Sequence, residues 1–136
     1  QGYTTEFDLV GTRDPSAHLA APAAFAFIES LGGLPAVHAY MHELAWNGAS
    51  LLAERWGTPL DTPRDLLGPM VTVMAPASAG STTADASALR DRLLFDEHIE
   101  VKVHAWRGRV HLRVSAQVYN ELADFEQLAD AVARPS

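Results

Sequence analysis

The chain has 136 residues, 48% of them hydrophobic, and a formal charge of −7. That length fits one domain able to bury a core, and the negative charge argues against nucleic acid or an anionic membrane surface as a partner. Without cysteine there is no disulfide framework, no thiolate zinc site and no thiol nucleophile.

Residues 1–10 are polar and extended in character, with Phe7, Leu9 and Val10 as apolar anchors. Gly11-Thr12-Arg13-Asp14-Pro15 follows, and Asp14-Pro15 reads as a helix start: a side-chain acceptor at the N-cap and a ring-fixed φ behind it. The helix should run to about Leu31 and stop at Gly32-Gly33, with Pro22 kinking or restarting it. The apolar stretch 19–28 is too short to span a membrane. No signal peptide is visible, and the expected location is cytoplasmic. The chain opens on Gln1 and reads as part of a larger protein.

Pro35 opens a second helix, carrying Val37, Met41, Leu44, Ala45, Leu51 and Leu52 at helical spacing and ending at Gly57. Residues 58–69 hold Pro59, Pro63 and Pro69 and form a loop. Residues 70–74 form a short strand whose continuous apolarity predicts burial on both faces. A third helix runs from about Asp85 to Glu97, with Leu89 and Leu93 inward and Arg90, Asp91 and Arg92 largely outward. Then come two runs of period-2 alternation around Arg107-Gly108, the signature of a hairpin. A two-residue loop there pairs Trp106 with Arg109, His104 with His111 and Lys102 with Arg113. One face is then aliphatic and seeks a core; the other is cationic and aromatic and faces water or an anionic ligand. The last helix starts at Asn120 and sets Leu122, Phe125, Leu128 and Val132 on one face. The order α-α-β-α-β-β-α predicts an α+β fold: a small, mostly antiparallel sheet of three or four strands, helices packed on one face.

Several groupings invite chemistry. His104 and His111 face each other, but no third ligand accompanies them, and zinc needs three or four; no metal site is expected. His38 and His42 are spaced i, i+4 without the glutamate of a metalloprotease motif. Ser115 lacks a nucleophile-elbow context. Lys102, the single lysine, reads as an exposed strand residue. Gly11-Thr12 before a helix suits a phosphate, and equally an ordinary helix entry. Arg113 can hold a carboxylate bidentately, as surface arginines also do incidentally.

Three segments carry a resemblance that separates these readings: EFDLVGTRDPSAHLAAPAAFAFIESLG at 6–32, PMVTVMAP at 69–76, and VKVHAWRGRVHLRVSAQVYNELADFEQLADAV at 101–132. In order and spacing they resemble the C-terminal part of class V aminotransferase-type enzymes, which use pyridoxal phosphate, and most of all the isopenicillin N epimerase-like branch. The resemblance implies that residues 1–136 form the C-terminal small domain of a homodimeric epimerase or lyase acting on an amino acid or amino-acid derivative. The partners it implies are the enzyme's own large domain and the other subunit. It further implies that Gly11 and Thr12, with Arg13 beside them, meet the cofactor phosphate of the other subunit. Arg113 would bind the substrate α-carboxylate, and His104 and Trp106 line the substrate entrance. Ser115, Tyr119 and Asn120 would hold the strand end and helix start in place. The Schiff-base lysine of such enzymes has no counterpart, so no residue here is assigned a catalytic role and the chain by itself is expected to be inactive. The alternative is a stand-alone anion-binding or interaction domain without catalysis.

Overall fold

The computed structural model describes residues 2–4, 11 and 14–134. The elements are α1 (Ser16–Ser30), α2 (Gly33–Trp56), β1 (Met70–Met74), α3 (Thr83–Phe95), β2 (Lys102–Trp106), β3 (Arg109–Ser115) and α4 (Leu122–Ala133), with 3-10 turns at Arg64–Leu66 and Ala77–Ala79. The expected α+β order holds. The chain forms two compact units, Gln1–Ala36 and Val37–Ser136.

In the first unit the helix starts one residue later than the sequence indicates, with Pro15 at the cap position and Ser16 first in the helix. The Asp14 carboxylate accepts the Ser16 backbone N–H at 2.9 Å and the Ser16 hydroxyl at 2.5 Å, and Leu19 N–H bonds the Pro15 carbonyl at 3.0 Å. These two bonds from Ser16 hold the Asp14 carboxyl below its ordinary 3.8. Pro22 is accommodated within α1, which ends before the turn at Gly32 and Gly33. None of the residues of α1 is buried, and Leu19, Phe25 and Phe27 are exposed.

The second unit holds the core. The strands form one antiparallel sheet in the order β1-β3-β2. The β2–β3 register is the one alternation predicts: Trp106 opposite Arg109, His104 opposite His111, Lys102 opposite Arg113. Arg107 and Gly108 both take positive φ, 47° and 71°, as a two-residue hairpin turn matched to strand twist requires. Val103, Val110, Leu112, Val114, Val71 and Val73 then share the buried face. The strand at 70–74 differs from expectation. Only Val71 and Val73 are buried, whereas Thr72 is exposed and Met70 is 53% exposed. β1 is an edge strand on a one-sided sheet, so alternate residues leave the core despite their apolarity.

Helices cover the aliphatic face. α3 packs on β2 and β3 through Leu89 and Leu93. Its start is capped reciprocally: Thr82 Oγ1 accepts the Asp85 N–H at 3.2 Å, and the Asp85 carboxylate accepts the N–H groups of Ser81 and Thr82 at 2.9 Å each. α2 buries Leu44, Ala45, Ala49, Leu52, Ala53 and Trp56, a stripe at helical spacing. It closes with Gly57 at φ 64° and with Thr58 N–H bonding the Ala53 carbonyl at 2.9 Å, the six-to-one bond of a Schellman end. α4 buries Phe125, Leu128 and Val132 as expected. Its cap is Glu121, one residue beyond the Asn120 that the sequence suggests, and Leu122 is 40% exposed. Arg92, expected to point outward, instead donates to the Ala131 carbonyl at 3.0 Å, tying α3 to the end of α4.

α2 and α4 meet where Gly48 faces the Phe125 ring. A Cβ at position 48 would stand 2.3 Å from that ring, and a buried phenyl group cannot swing aside without opening the core. Gly48→Ala should therefore destabilise the chain by about 1–3 kcal/mol, read as a lower urea midpoint; an unchanged midpoint would show that the two helices are not in this contact.

Candidate functional site

The open face of the sheet is laid out in rows by strand register. Thr72, Arg113 and Lys102 form one row across β1, β3 and β2; Met74, His111 and His104 form the next; Arg109 and Trp106 form the last, beside the turn. Arg113 and Lys102 therefore sit side by side, both exposed. Among the described residues neither side chain makes a hydrogen bond or an ion pair. Like charges directly opposite on a sheet repel, so an anion bridging the two would relieve that repulsion.

The second row is aromatic. The His104 and His111 rings stack with centroids 5.7 Å apart and planes 25° off parallel. Trp106 meets His111 edge-on at 5.7 Å, and His111 is buried, with Nδ1 3.2 Å from the Arg109 carbonyl oxygen. Partial burial, then the charges of His111, Lys102 and Arg113, hold His104 below its ordinary 6.5. Among the described residues no three metal-ligating side chains converge, and the two histidines meet ring on ring. At the turn, the Arg107 guanidinium lies 4.4 Å over the Trp106 ring. Arg109 reaches the Ala75 carbonyl at 3.4 Å and keeps its buried Nε without a partner.

Arg113 opens into a cleft of about 770 Å³ at the end of the sheet. Lys102, Glu100, Ser115, Tyr119 and Asn120 line it with Arg113, over a floor that includes Leu94, Phe125 and Leu128. His104 and Trp106 share Arg113's sheet face but lie outside the cleft lining. Asn120 fixes the cleft wall: its Oδ1 accepts the Gln117 N–H at 3.1 Å, its Nδ2 donates to Asp124 at 3.0 Å, and its carbonyl accepts the Tyr40 hydroxyl at 2.6 Å. That agrees with a holding role for Asn120. Tyr119 is 80% exposed at the cleft. Gly11 lies in the first unit, exposed, at φ 86°; Thr12 and Arg13 lie outside the described residues. Sequence reasoning missed the cleft and its Glu100 wall and named Tyr119 only as a holding residue, because periodicity reports which face a residue takes and not where two element ends leave a gap.

The described residues fit a carboxylate and do not complete a pyridoxal-phosphate site. The paired cations and a polar cleft suit the acid end of an amino acid. The single lysine, Lys102, stands on an open strand beside Arg113, which suits anion binding rather than a covalent link to a cofactor.

No known family model matches the chain. Curated relatives do. A putative L-cysteine desulfhydrase of Oryza sativa subsp. japonica is 34% identical over 96% of this chain and 31% of its own length. A probable chloroplastic L-cysteine desulfhydrase of Arabidopsis thaliana is 31% identical over 96% of this chain and 30% of its own length. The isopenicillin N epimerase of Streptomyces clavuligerus is 36% identical over 90% of this chain and 30% of its own length. The chain thus spans just under a third of the length of the curated relatives it matches. Among solved structures, 8-amino-7-oxononanoate synthase of Francisella tularensis shares the fold over 69% of this chain and 25% of its own, with a TM-score of 0.51 at 18% identity. Among the described residues no single helix is long and apolar enough to cross a membrane.

Because its charged form is disfavoured in the fold, His104 makes the folded chain bind fewer protons than the unfolded chain below 6.5. Its contribution is complete above that value and is lost as the pH falls toward the lowered folded value. Urea midpoints should drop more between about pH 7.5 and about pH 5.5 for the wild type than for His104→Gln; equal slopes would show that His104 is not held neutral by its neighbours.

Proposed function

From its kinship with the class V aminotransferase-type enzymes, the group that holds these desulfhydrases and the epimerase, we propose that this chain is the C-terminal small domain of a homodimeric pyridoxal-phosphate enzyme. The enzyme is an epimerase or lyase acting on an amino acid or an amino-acid derivative, and in it Arg113 anchors the substrate α-carboxylate. The single observation that carries this reading is the unpaired Arg113–Lys102 row opening into the cleft.

When bound, pyridoxal phosphate supplies an electron sink at the substrate Cα. The part of this chain is binding and orientation. A guanidinium holds a planar carboxylate by two parallel hydrogen bonds, which fixes the substrate's rotation about its Cα and so decides which bond lies correctly for reaction. Lys102 adds a point charge next to the same carboxylate. Asn120 holds the strand end that carries Arg113 against the start of α4, keeping the guanidinium at one height in the cleft. In this reading Gly11, Thr12 and Arg13 serve the cofactor phosphate across the subunit interface, His104 and Trp106 flank the substrate entrance, and the Schiff-base lysine comes from the enzyme's large domain. The net charge of −7 leaves a carboxylate substrate drawn to this local positive patch rather than to the surface at large.

In the whole enzyme that carries this chain, Arg113→Ala should raise KM for the amino-acid substrate by about 10–100-fold, the worth of hydrogen bonds to a charged group. The cofactor absorbance should stay as in the wild type. Arg113→Lys should fall between the two, since it keeps the charge and loses the fork. An unchanged KM in Arg113→Ala would refute the anchor assignment.

A further inference from the structure

The same sheet face holds a titratable group that carboxylate anchoring leaves without a task. His104 follows Lys102 on β2, stands opposite His111 and lies diagonally across from Arg113, about 7–8 Å apart in an antiparallel pair. Every described neighbour on that face is cationic, neutral or aromatic: Lys102 and Trp106 on β2, Arg109, His111 and Arg113 on β3, Thr72 and Met74 on β1. The helices pack on the opposite face. The nearest carboxylate along the strand, Glu100, lies on the far side of Lys102, and among the described residues it pairs with neither cation.

We propose that His104 is a proton-gated third cation of the Arg113–Lys102 site: neutral while the site is empty at neutral pH, it takes up a proton when a carboxylate binds, so binding tightens in acid. The inference rests on the carboxylate-anchor reading. The empty face favours neutral His104, because its ring is partly buried and stacked on His111 and two fixed positive charges stand beside it. A carboxylate on Arg113 and Lys102 cancels that repulsion and places a negative charge within reach of the imidazole. Linkage makes the effect reciprocal: the factor by which the anion favours protonation is the factor by which the proton favours the anion. One proton is gained per carboxylate bound in the coupled range, and no bond is made or broken. For a partly exposed group at about 7 Å, the Coulomb relation gives a coupling of a few-fold to some tens-fold in affinity.

The test is a proton NMR titration of the His104 ring in the intact chain, with and without acetate at constant ionic strength. His104→Gln assigns the resonance and Arg113→Ala serves as control. The expected result is a His104 midpoint that rises when acetate is present and does not rise in Arg113→Ala. Acetate should also bind several-fold more tightly at about pH 5.5 than at about pH 7.5, a difference that His104→Gln removes. If acetate binding depends on Arg113 while the His104 midpoint stays fixed, the proton gate is overturned and the anchor stands. If acetate binding does not depend on Arg113, the anchor falls, and the gate falls with it.

Discussion

The two-residue turn at Arg107-Gly108 fixes how β2 meets β3, and the parity it sets divides the sheet into a core side and an open, cationic side. Side chains alternate along a strand, so a slip of one residue would carry Arg113 and His111 into the core and expel Leu112 and Val114 to solvent. Burying Leu112, Val110 and Val114 under α3 and α4 prevents that slip. The hydrophobic face thus aligns the charged face. Arg113 and Lys102 stand together because their neighbours on the same strands are needed elsewhere, and the structure tolerates their repulsion on a solvent-exposed face.

Much of this was legible in the sequence because it depends on local chemistry. Two alternating runs around a glycine-containing pair specify register without further information, and the three pairs on the open face of the hairpin, Trp106–Arg109, His104–His111 and Lys102–Arg113, were readable in advance. Asp14-Pro15, Gly32-Gly33 and Gly57 mark helix ends through capping and left-handed geometry, which are properties of a few residues. What depends on distant neighbours was not legible. Met70 to Met74 reads as doubly buried, yet the strand order places it at an edge with one face uncovered. Asn120 reads as a helix cap, yet it spends its side chain on Gln117 and Asp124 and leaves the cap position to Glu121. Arg92 reads as a surface charge, yet α4 brings a free carbonyl within its reach. The resemblance, carried by three segments, pointed to the kinship that the curated relatives bear out over nearly the whole chain. It also singled out Arg113, which alternation alone leaves as one cation among several.

The chain is acidic overall, so an isolated cationic row on it concentrates field where a small anion is wanted. The stacked histidines fill the row next to it, and Trp106 meets His111 edge-on. Beyond Arg113 the cleft is walled by polar side chains and floored by leucine and phenylalanine, which suits a ligand with one charged end and a less polar body. Division of labour follows in the proposed enzyme: this domain holds the acid end of the substrate, and the reacting centre lies on another domain.

The most direct measurement is a crystal structure of the whole enzyme that carries this chain, bound to a non-reacting amino-acid analogue. The predicted result is the analogue's carboxylate within hydrogen-bonding distance of two Arg113 nitrogens, with Lys102 beside it. A carboxylate bound elsewhere, with Arg113 facing solvent or paired to another protein group, would contradict the role assigned to this sheet face.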